Sequence, residues 1–487
     1  MNASPKRAAA AIEGAAYALG HDELQACADH LAASLRAAGV RVLATLLDNS
    51  PAWIVADRAA QAAGLVHVPL PLFFTRAQVQ HVLQAAGVDA LLTQPGRPAA
   101  GSPISTQPLA VAGETLDLLR LPARPVDLPP GTCKITFTSG TTGTPKGVCL
   151  DAAALAAVAQ GVVQALQPLR LQRHLCALPF PVLLENVAGV MAPLANGGTC
   201  IALPLARLGL GGATRFDPAL FHSAVQERRP DSLILLPQML RGWAGWLRDT
   251  GQRPPASLRF VAVGGAAVGG RLLQAARACG IPAYEGYGLS EGASVQTLNR
   301  PGADRPGSAG QPLPHARVRI AADGEVEVAG ALFGGYLGAA RPQGGWWRTG
   351  DLGSLDADGF LHLRGRRSNV LITAFGRNVS PEWVEGALQE QPGIAAAVVF
   401  GDAQPQLCAV LWPAQEGATA QVLQRAVDAA NAALPDYARV ARWVPALGAF
   451  SPETGFATPN GRPCRPAILQ AHAGALQLPI DSPATTP

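Results

Sequence analysis

Lysine is nearly absent from this 487-residue chain: Lys6, Lys134 and Lys146 stand against 35 arginines. Chemistry that needs an ammonium group is confined to those three positions. Closely spaced cysteines are missing as well. Cys27, Cys133, Cys149, Cys176, Cys200, Cys279, Cys408 and Cys464 contain no C-x-x-C pair. That excludes a zinc ribbon and a disulfide framework, and it leaves small core residues of a reducing, cytoplasmic compartment. No uninterrupted apolar run approaches the roughly 20 residues of a transmembrane segment. Lys6 and Arg7 precede an alanine run that imitates a signal peptide, but Glu13 interrupts it. Neither sign of charge dominates: 38 basic and 34 acidic side chains give a net charge of +4, so no nucleic-acid partner is expected. With 53 glycines and 42 prolines, the chain stays below the roughly 25–30% of a low-complexity sequence.

What is present is an alternation of helix and strand. Residues 22–38 carry apolar positions at helical spacing, 40–47 read as a buried strand, 53–63 as a helix and 65–69 as another strand. This predicts a parallel, helix-covered sheet. Residues 96–130 are proline- and glycine-rich, break the period and read as surface loop or linker. The alternation resumes over 152–287, with a helix after Asp151, a strand near Leu175, a helix near Asn186 and strands at 232–236 and 259–263. From Gly307 onwards, short strands and glycine turns predict a small β-rich subdomain. Ser380 and Pro381 form the cap and first turn of a helix reaching about Gln389. Strands at 395–400 and 407–412 and a helix at 418–434 complete a separate α+β domain. The fold class is therefore α/β: a large N-terminal domain over 1–366, then a small α+β domain over 367–478. Residues 479–487 read as a frayed tail.

The motif richest in chemistry follows the strand-like alternation Lys134-Ile-Thr-Phe-Thr138. It reads Ser139-Gly-Thr-Thr-Gly-Thr-Pro-Lys-Gly147. Glycines let backbone N–H groups converge on an anion, the hydroxyls add donors and Lys146 supplies a mobile positive charge, a combination suited to polyphosphate. It is not a Walker A loop, which needs Gly-Lys followed by Ser or Thr. Residues 259–284 imitate a dinucleotide fold, but the G-x-G-x-x-G spacing is not met.

Thr138-Ser-Gly-Thr-Thr-Gly-Thr-Pro-Lys-Gly147 resembles the phosphate-binding signature of the adenylate-forming superfamily, which holds acyl-CoA synthetases, peptide-synthetase adenylation domains and firefly-type luciferases. The likeness spans nearly the whole chain. Asn49-Ser-Pro-Ala-Trp53, Gly264-Gly-Ala266, Gly286-Tyr-Gly-Leu-Ser-Glu291, Trp347-Arg-Thr-Gly-Asp351, Gly365-Arg366 and Gly376-Arg-Asn-Val-Ser-Pro381 follow in the family's order. The resemblance implies nucleotide binding by Thr138, Ser139, Gly140, Thr141, Thr142, Gly143, Lys146, Gly265, Ala266, Tyr287, Gly288, Ser290, Asp351 and Arg366. Tyr287 offers adenine a flat face. Glu291, with Ser290, is a hard oxygen ligand for Mg²⁺. Asp351 can accept from the ribose hydroxyls, and Arg366 can donate to ribose or phosphate. The same resemblance implies that Gly376 marks the path of a pantetheine arm and that Ser368 occupies the hinge position, which is commonly Asp or Lys in the family.

Two departures matter. The family's C-terminal catalytic lysine is replaced in Thr458-Pro-Asn-Gly-Arg462-Pro-Cys-Arg465, and no lysine follows Lys146. Arg462 is expected to take over that role in adenylation, with Arg465 as the alternative, although a planar guanidinium differs in reach from an ammonium. The segment Leu178-Pro-Phe-Pro-Val-Leu-Leu-Glu-Asn-Val-Ala-Gly189 also lacks the aspartate with which amino-acid-activating relatives bind an ammonium. An unpaired ammonium is costly in an apolar setting. The apolar run, with Glu185 just beyond it, resembles that of long-chain acyl-CoA synthetases, and this resemblance implies Phe180 and Glu185 as acyl-pocket residues, Glu185 either gating the pocket or serving as a helix-start carboxylate. The implied activity is conversion of a medium- or long-chain fatty acid, ATP and CoA to an acyl-CoA through an acyl-adenylate. A carrier-protein phosphopantetheine is the alternative acceptor. An inactive nucleotide- or acyl-binding protein is the reading from another class.

Overall fold

The structure, a computed structural model, describes residues 10–97, 103–138, 146–211, 215–266, 268–339, 344–374, 377–415, 417–458 and 461–478. The chain divides into two units. One contains Met1–Gly265, Leu273–Val318 and Val328–Trp347; the other contains Ala266–Leu272, Arg319–Glu327 and Arg348–Pro487.

Two mixed sheets form the first unit. The eight-stranded sheet has at its centre the parallel strands Thr132–Thr138, Val66–Pro69, Val42–Leu46 and Ala90–Thr93. Its flanks are antiparallel: Lys146–Asp151 pairs with Thr132–Thr138 on one side, and Glu114–Arg120 with Ala90–Thr93 on the other. A nine-stranded sheet runs parallel from Ala10–Glu13 through Thr199–Ile201, Arg173–Leu175, Ser232–Leu235 and Phe260–Val263 to Ala283–Leu289. The expected parallel sheet is thus the core of each layer, closed by antiparallel edges. The Pro51–Ala63 helix shows how the sequence builds the interior. Ser50 accepts from the Trp53 N–H, Pro51 opens the first turn, and Gly64 ends the helix in the left-handed region at φ 71°. Trp53 has no exposed surface, and its ring lies 5.0 Å from that of Phe180.

Residues 96–130 are not simply a loop. Ser105–Val111 and Glu114–Arg120 form an antiparallel hairpin at the sheet edge. Its two-residue turn, Ala112-Gly113, has φ of 47° and 74°, the twist that tight hairpins require. Pro108 sits on the outermost strand, where no ladder donor is needed. The apolar Ala152–Leu166 helix, with its short extension to Leu169, is long and apolar enough by composition to cross a membrane. Ala154, Leu155, Val158, Ala159 and Val162 are nonetheless packed into the core.

In the second unit, Ile394–Phe400, Leu407–Pro413 and Val440–Pro445 form a three-stranded sheet. The Pro381–Gln389 and Ala420–Ala433 helices bury Val384, Leu388, Leu423 and Val427 in the same core. The hairpin Trp347–Leu355 with Leu361–Arg366, which lies in this unit from Arg348 onwards, carries Asp351 and Arg366. The eight cysteines form no disulfide.

Candidate active site

The phosphate motif lies at one end of a hairpin. Thr138 pairs with Lys146 and Phe137 with Gly147, so the motif's remaining residues connect two antiparallel strands. Ser139, Gly140, Thr141, Thr142 and Gly143 lie outside the described residues. A Cβ on Gly147 would stand 3.1 Å from each of Ile135, Phe137 and Leu337, which explains why glycine follows the lysine. Lys146 is exposed, with its Nζ 6.0 Å from the centre of the Tyr336 ring. The Tyr336 hydroxyl in turn donates to Glu291 Oε1 at 2.6 Å. Phe333 and Trp347 hold that tyrosine edge-on. One aromatic ring thus links the loop lysine to the acidic motif. Sequence reading missed Tyr336, whose only local signal is a two-residue strand, Gly335–Tyr336. Glu291 and Ser290 supply a carboxylate and a hydroxyl, and this hard-oxygen donor set fits Mg²⁺.

Beside this group, Gly264-Gly265 leaves the end of the Phe260–Val263 strand next to the Ala283–Leu289 strand. A Cβ on Gly264 would meet the Gly286 carbonyl oxygen at 3.1 Å, and Gly265 has φ +82°. On the other side, the Ser294–Leu298 strand approaches so closely that a Cβ on Gly288 would lie 2.2 Å from the Ser294 carbonyl oxygen. The ladder is irregular between Tyr287 and Gly288. Glycines therefore flank the half-buried Tyr287 because backbone passes on both sides of it. Ala266 is exposed and belongs to the second unit.

In the second unit, Asp351 and Arg366 face each other across a hairpin. Arg366 Nε lies 2.8 Å from Asp351 Oδ1. Arg367 donates to Asp323 Oδ2 at 2.5 Å and to Glu325 Oε2 at 2.9 Å. Asp323 and Glu325 are held below the usual carboxylate range by Arg348 and Arg367, against a burial effect that is the largest influence on Glu325. Ser368 is exposed between two anchored neighbours, because Asn369 donates to Glu382. Gly376 lies outside the described residues.

The two C-terminal arginines differ. Thr458 and Arg462 close a turn, with Thr458 N donating to the Arg462 carbonyl at 2.7 Å and Arg462 N to Thr458 Oγ1 at 3.1 Å. The Arg462 side chain is exposed. Arg465 instead donates to Val399 O at 3.0 Å and to Glu385 Oε2 at 2.7 Å. Glu385 is buried, and burial pushes its carboxyl up to about 7 against the opposing pull of Arg465. Arg465, the alternative to Arg462, is thus committed to an internal carboxylate.

The expected acyl-pocket residues are enclosed. Phe180 and Glu185 have no exposed surface. Phe180 N donates to Asn49 Oδ1 at 2.9 Å and its ring packs on Trp53, so Phe180 belongs to the core and presents no accessible wall. Glu185 opens a seven-residue π-helix, Glu185–Met191, and accepts from Leu178 N at 3.2 Å. Burial raises its carboxyl above the usual range, with His174 pulling the other way. It is therefore neither a solvated helix-start carboxylate nor a group open to a pocket. Next to it Asn186 joins a buried network that sequence reading did not single out. Lys134 Nζ lies 2.8 Å from Asp57 Oδ1, which also accepts from His67 Nδ1 at 2.6 Å; Lys134 donates as well to Asn186 Oδ1. Burial alone would raise Asp57, but Lys134 and His67 outweigh it and hold the carboxyl far below its ordinary value.

Comparison with known proteins agrees across nearly the whole chain. Residues 1–338 match the AMP-binding enzyme family, and residues 368–477 match the AMP-binding enzyme C-terminal domain. A feruloyl-CoA synthase of an Amycolatopsis species is 31% identical over 432 residues, covering 82% of this chain and 83% of its own. A long-chain-fatty-acid–CoA ligase of Mycobacterium bovis is 30% identical over 426 residues, covering 74% and 70%. Among solved structures, O-succinylbenzoate coenzyme A synthetase from Bacillus subtilis in complex with AMP has TM-score 0.73 and 25% identity, covering 90% of this chain and 92% of its own. The chain belongs to the AMP-binding enzyme family of adenylate-forming proteins, and it is an AMP-forming acid–thiol ligase.

Proposed function

We propose that this enzyme activates a lipophilic carboxylic acid, in the first place a medium- or long-chain fatty acid, and transfers the acyl group to CoA. The observation that carries the reading is the line from Lys146 through Tyr336 to Glu291. It sets an ammonium and a carboxylate at one locus where a polyphosphate brings several negative charges. Lys146 and the N–H groups of residues 139–144 hold the triphosphate, while Tyr287 and the Gly264-Gly265 turn take the adenine. Mg²⁺, when bound by Glu291 and Ser290, neutralises charge on the phosphate oxygens. Asp351 accepts from ribose hydroxyls, oriented by Arg366.

Both reactants are anions, so the site's task is positioning and charge neutralisation. A carboxylate oxygen of the acid bonds to the α-phosphorus, the bond from that phosphorus to the bridging oxygen breaks, and pyrophosphate leaves with the electron pair. Arg462 neutralises charge between carboxylate and α-phosphate. In the second step a thiol sulfur attacks the acyl carbon, the carbon–oxygen bond of the mixed anhydride breaks, AMP departs and the thiol proton passes to solvent. We assign Gly376 to the pantetheine path and Ser368 to the pivot between the domains, a boundary supported by the start of the C-terminal family match at residue 368.

The segment 178–189 offers a substrate ammonium no aspartate, and its one carboxylate, Glu185, is already engaged, which disfavours amino acids. A second reading, an aromatic acid, is favoured by the 31% identity to a feruloyl-CoA synthase over 82% of this chain. Pyrophosphate release over a panel of fatty, aryl and amino acids, each with no thiol, with CoA or with holo-carrier protein, tests these assignments. Turnover confined to fatty acids with CoA is the expected outcome. Equal use of holo-carrier protein would move the acceptor, and ATP binding with no pyrophosphate from any acid would overturn the enzymatic reading.

A further inference from the structure

Spacing along the chain offers no metal-binding motif, yet the fold assembles a donor set in the interior of the first unit. His174 lies on the Arg173–Leu175 strand, with Cys176 two residues on. His174 is in register with Cys200 on one neighbouring parallel strand and with Ser232 on the other. Residues two apart on a strand share a face, and so do register partners in a parallel sheet. His174, Cys176, Cys200 and Ser232 therefore point the same way, towards the π-helix that begins at Glu185. Donor atoms of His174, Cys176 and Glu185 all lie within 4.8 Å of one another. The Cys176 thiol meets that of Cys200, and both sulfurs approach the Gly189 carbonyl oxygen, at 3.5 and 3.6 Å.

Two distances suggest more than a hydrogen-bonded cluster. His174 Nε2 stands 3.3 Å from Glu185 Oε1, whereas another internal histidine–carboxylate pair of this unit, His67 with Asp57, closes to 2.6 Å. A charge-assisted hydrogen bond is short, about 2.7–2.9 Å. Two ligands on a tetrahedral zinc ion, each about 2.0–2.1 Å from the metal, sit about 3.3–3.4 Å apart. His174 Nδ1 is meanwhile 3.0 Å from Ser232 Oγ, and Glu185 Oε2 accepts from Leu178 N at 3.2 Å. These are outer contacts that fix ligand orientation. Gly189 keeps its side of the cluster open, since a Cβ there would lie 2.3 Å from Glu185 Oε1 and 2.9 Å from His174 Nε2.

We propose that His174, Cys176, Glu185 and Cys200 form a buried site for a zinc-type divalent cation, separate from the Mg²⁺ that accompanies ATP. Binding releases the protons of both thiols to solvent, so that two thiolates and one carboxylate surround the 2+ charge and leave one net negative charge while the imidazole stays neutral. The ion would clasp the π-helix to the nine-stranded sheet. Because the site is sealed, loading accompanies folding. The test is growth of the full chain in defined medium with Zn²⁺ or with Co²⁺, followed by metal analysis and absorption spectroscopy. One ion per chain and a thiolate-to-cobalt charge-transfer band are the expected results. Both should be lost in His174→Gln and in the double variant Cys176→Ser/Cys200→Ser, and kept in Cys408→Ser, which alters a buried cysteine of the other unit. Wild-type protein with only background metal, cobalt bound without that band, or a band that survives the double substitution would each overturn the site. Should the variants fold poorly, the wild-type stoichiometry and band still decide. Pyrophosphate release, measured on the same wild-type preparation, reports separately on the ligase reading.

Discussion

Each unit of the molecule uses the same kind of cation in two ways, and the contrast separates architecture from chemistry. In the first unit Lys134 is buried against Asp57, while Lys146 is exposed at the end of the phosphate motif. In the second, Arg465 is tied to buried Glu385, while Arg462 is exposed on a turn three residues earlier. The anchored member of each pair serves the fold, because removing it takes the cationic partner from an internal carboxylate. The exposed member can meet a substrate. The first unit does this with lysines and the second with arginines, in a chain that has only three lysines.

The largest effect that would sharpen this division is on Lys146. Lys146→Ala should lower acid-dependent ATP–pyrophosphate exchange about 10²–10³-fold, the scale of losing a positioned charge at a transition state, with the unfolding midpoint unchanged. Lys134→Met should do the reverse. Taking the ammonium away from Asp57, which then keeps only His67 and Asn186, should cost about 3–5 kcal/mol in denaturant unfolding, and a stability equal to wild type would break the comparison. Arg462→Ala should slow exchange by about tenfold to hundredfold, since a charge-assisted contact is lost, while Arg462→Lys retains more; an unchanged rate in the alanine variant removes Arg462 from the mechanism.

The smallest effect is a pH dependence. Burial raises Glu385 from 4.5 to about 7, so between those pH values the folded chain keeps a proton that the unfolded chain has released. That contribution to stability is complete below pH 4.5, declines as pH rises and is gone above about 7, amounting to roughly 1–3 kcal/mol. Urea unfolding from pH 5 to 8 should show the decline in wild type and a flatter profile in Glu385→Gln. A rise in stability over the same interval would mean that Arg465 outweighs burial.

These pairs also show what the sequence could and could not reveal. The helix-and-strand period and the capped Pro381–Gln389 helix were readable because local patterning dictates them. The Ala112-Gly113 hairpin was hidden by its proline and glycine content, although that same glycine makes the turn possible. Lys146 and Glu291 were visible as motif residues, whereas Tyr336 between them was not, since 45 positions separate it from Glu291. Lys134 and Arg465 looked no different from their exposed counterparts, because burial and partners come from tertiary packing. Glu185 shows the same limit, with His174 brought to it by a neighbouring strand.

The most direct test of the central claim follows oxygen atoms. With wild-type enzyme, ATP, Mg²⁺, CoA and a fatty acid carrying ¹⁸O in its carboxyl group, attack on the α-phosphorus places one labelled oxygen in AMP and none in pyrophosphate. Label recovered in pyrophosphate or orthophosphate, or formation of ADP in place of AMP, would contradict the account.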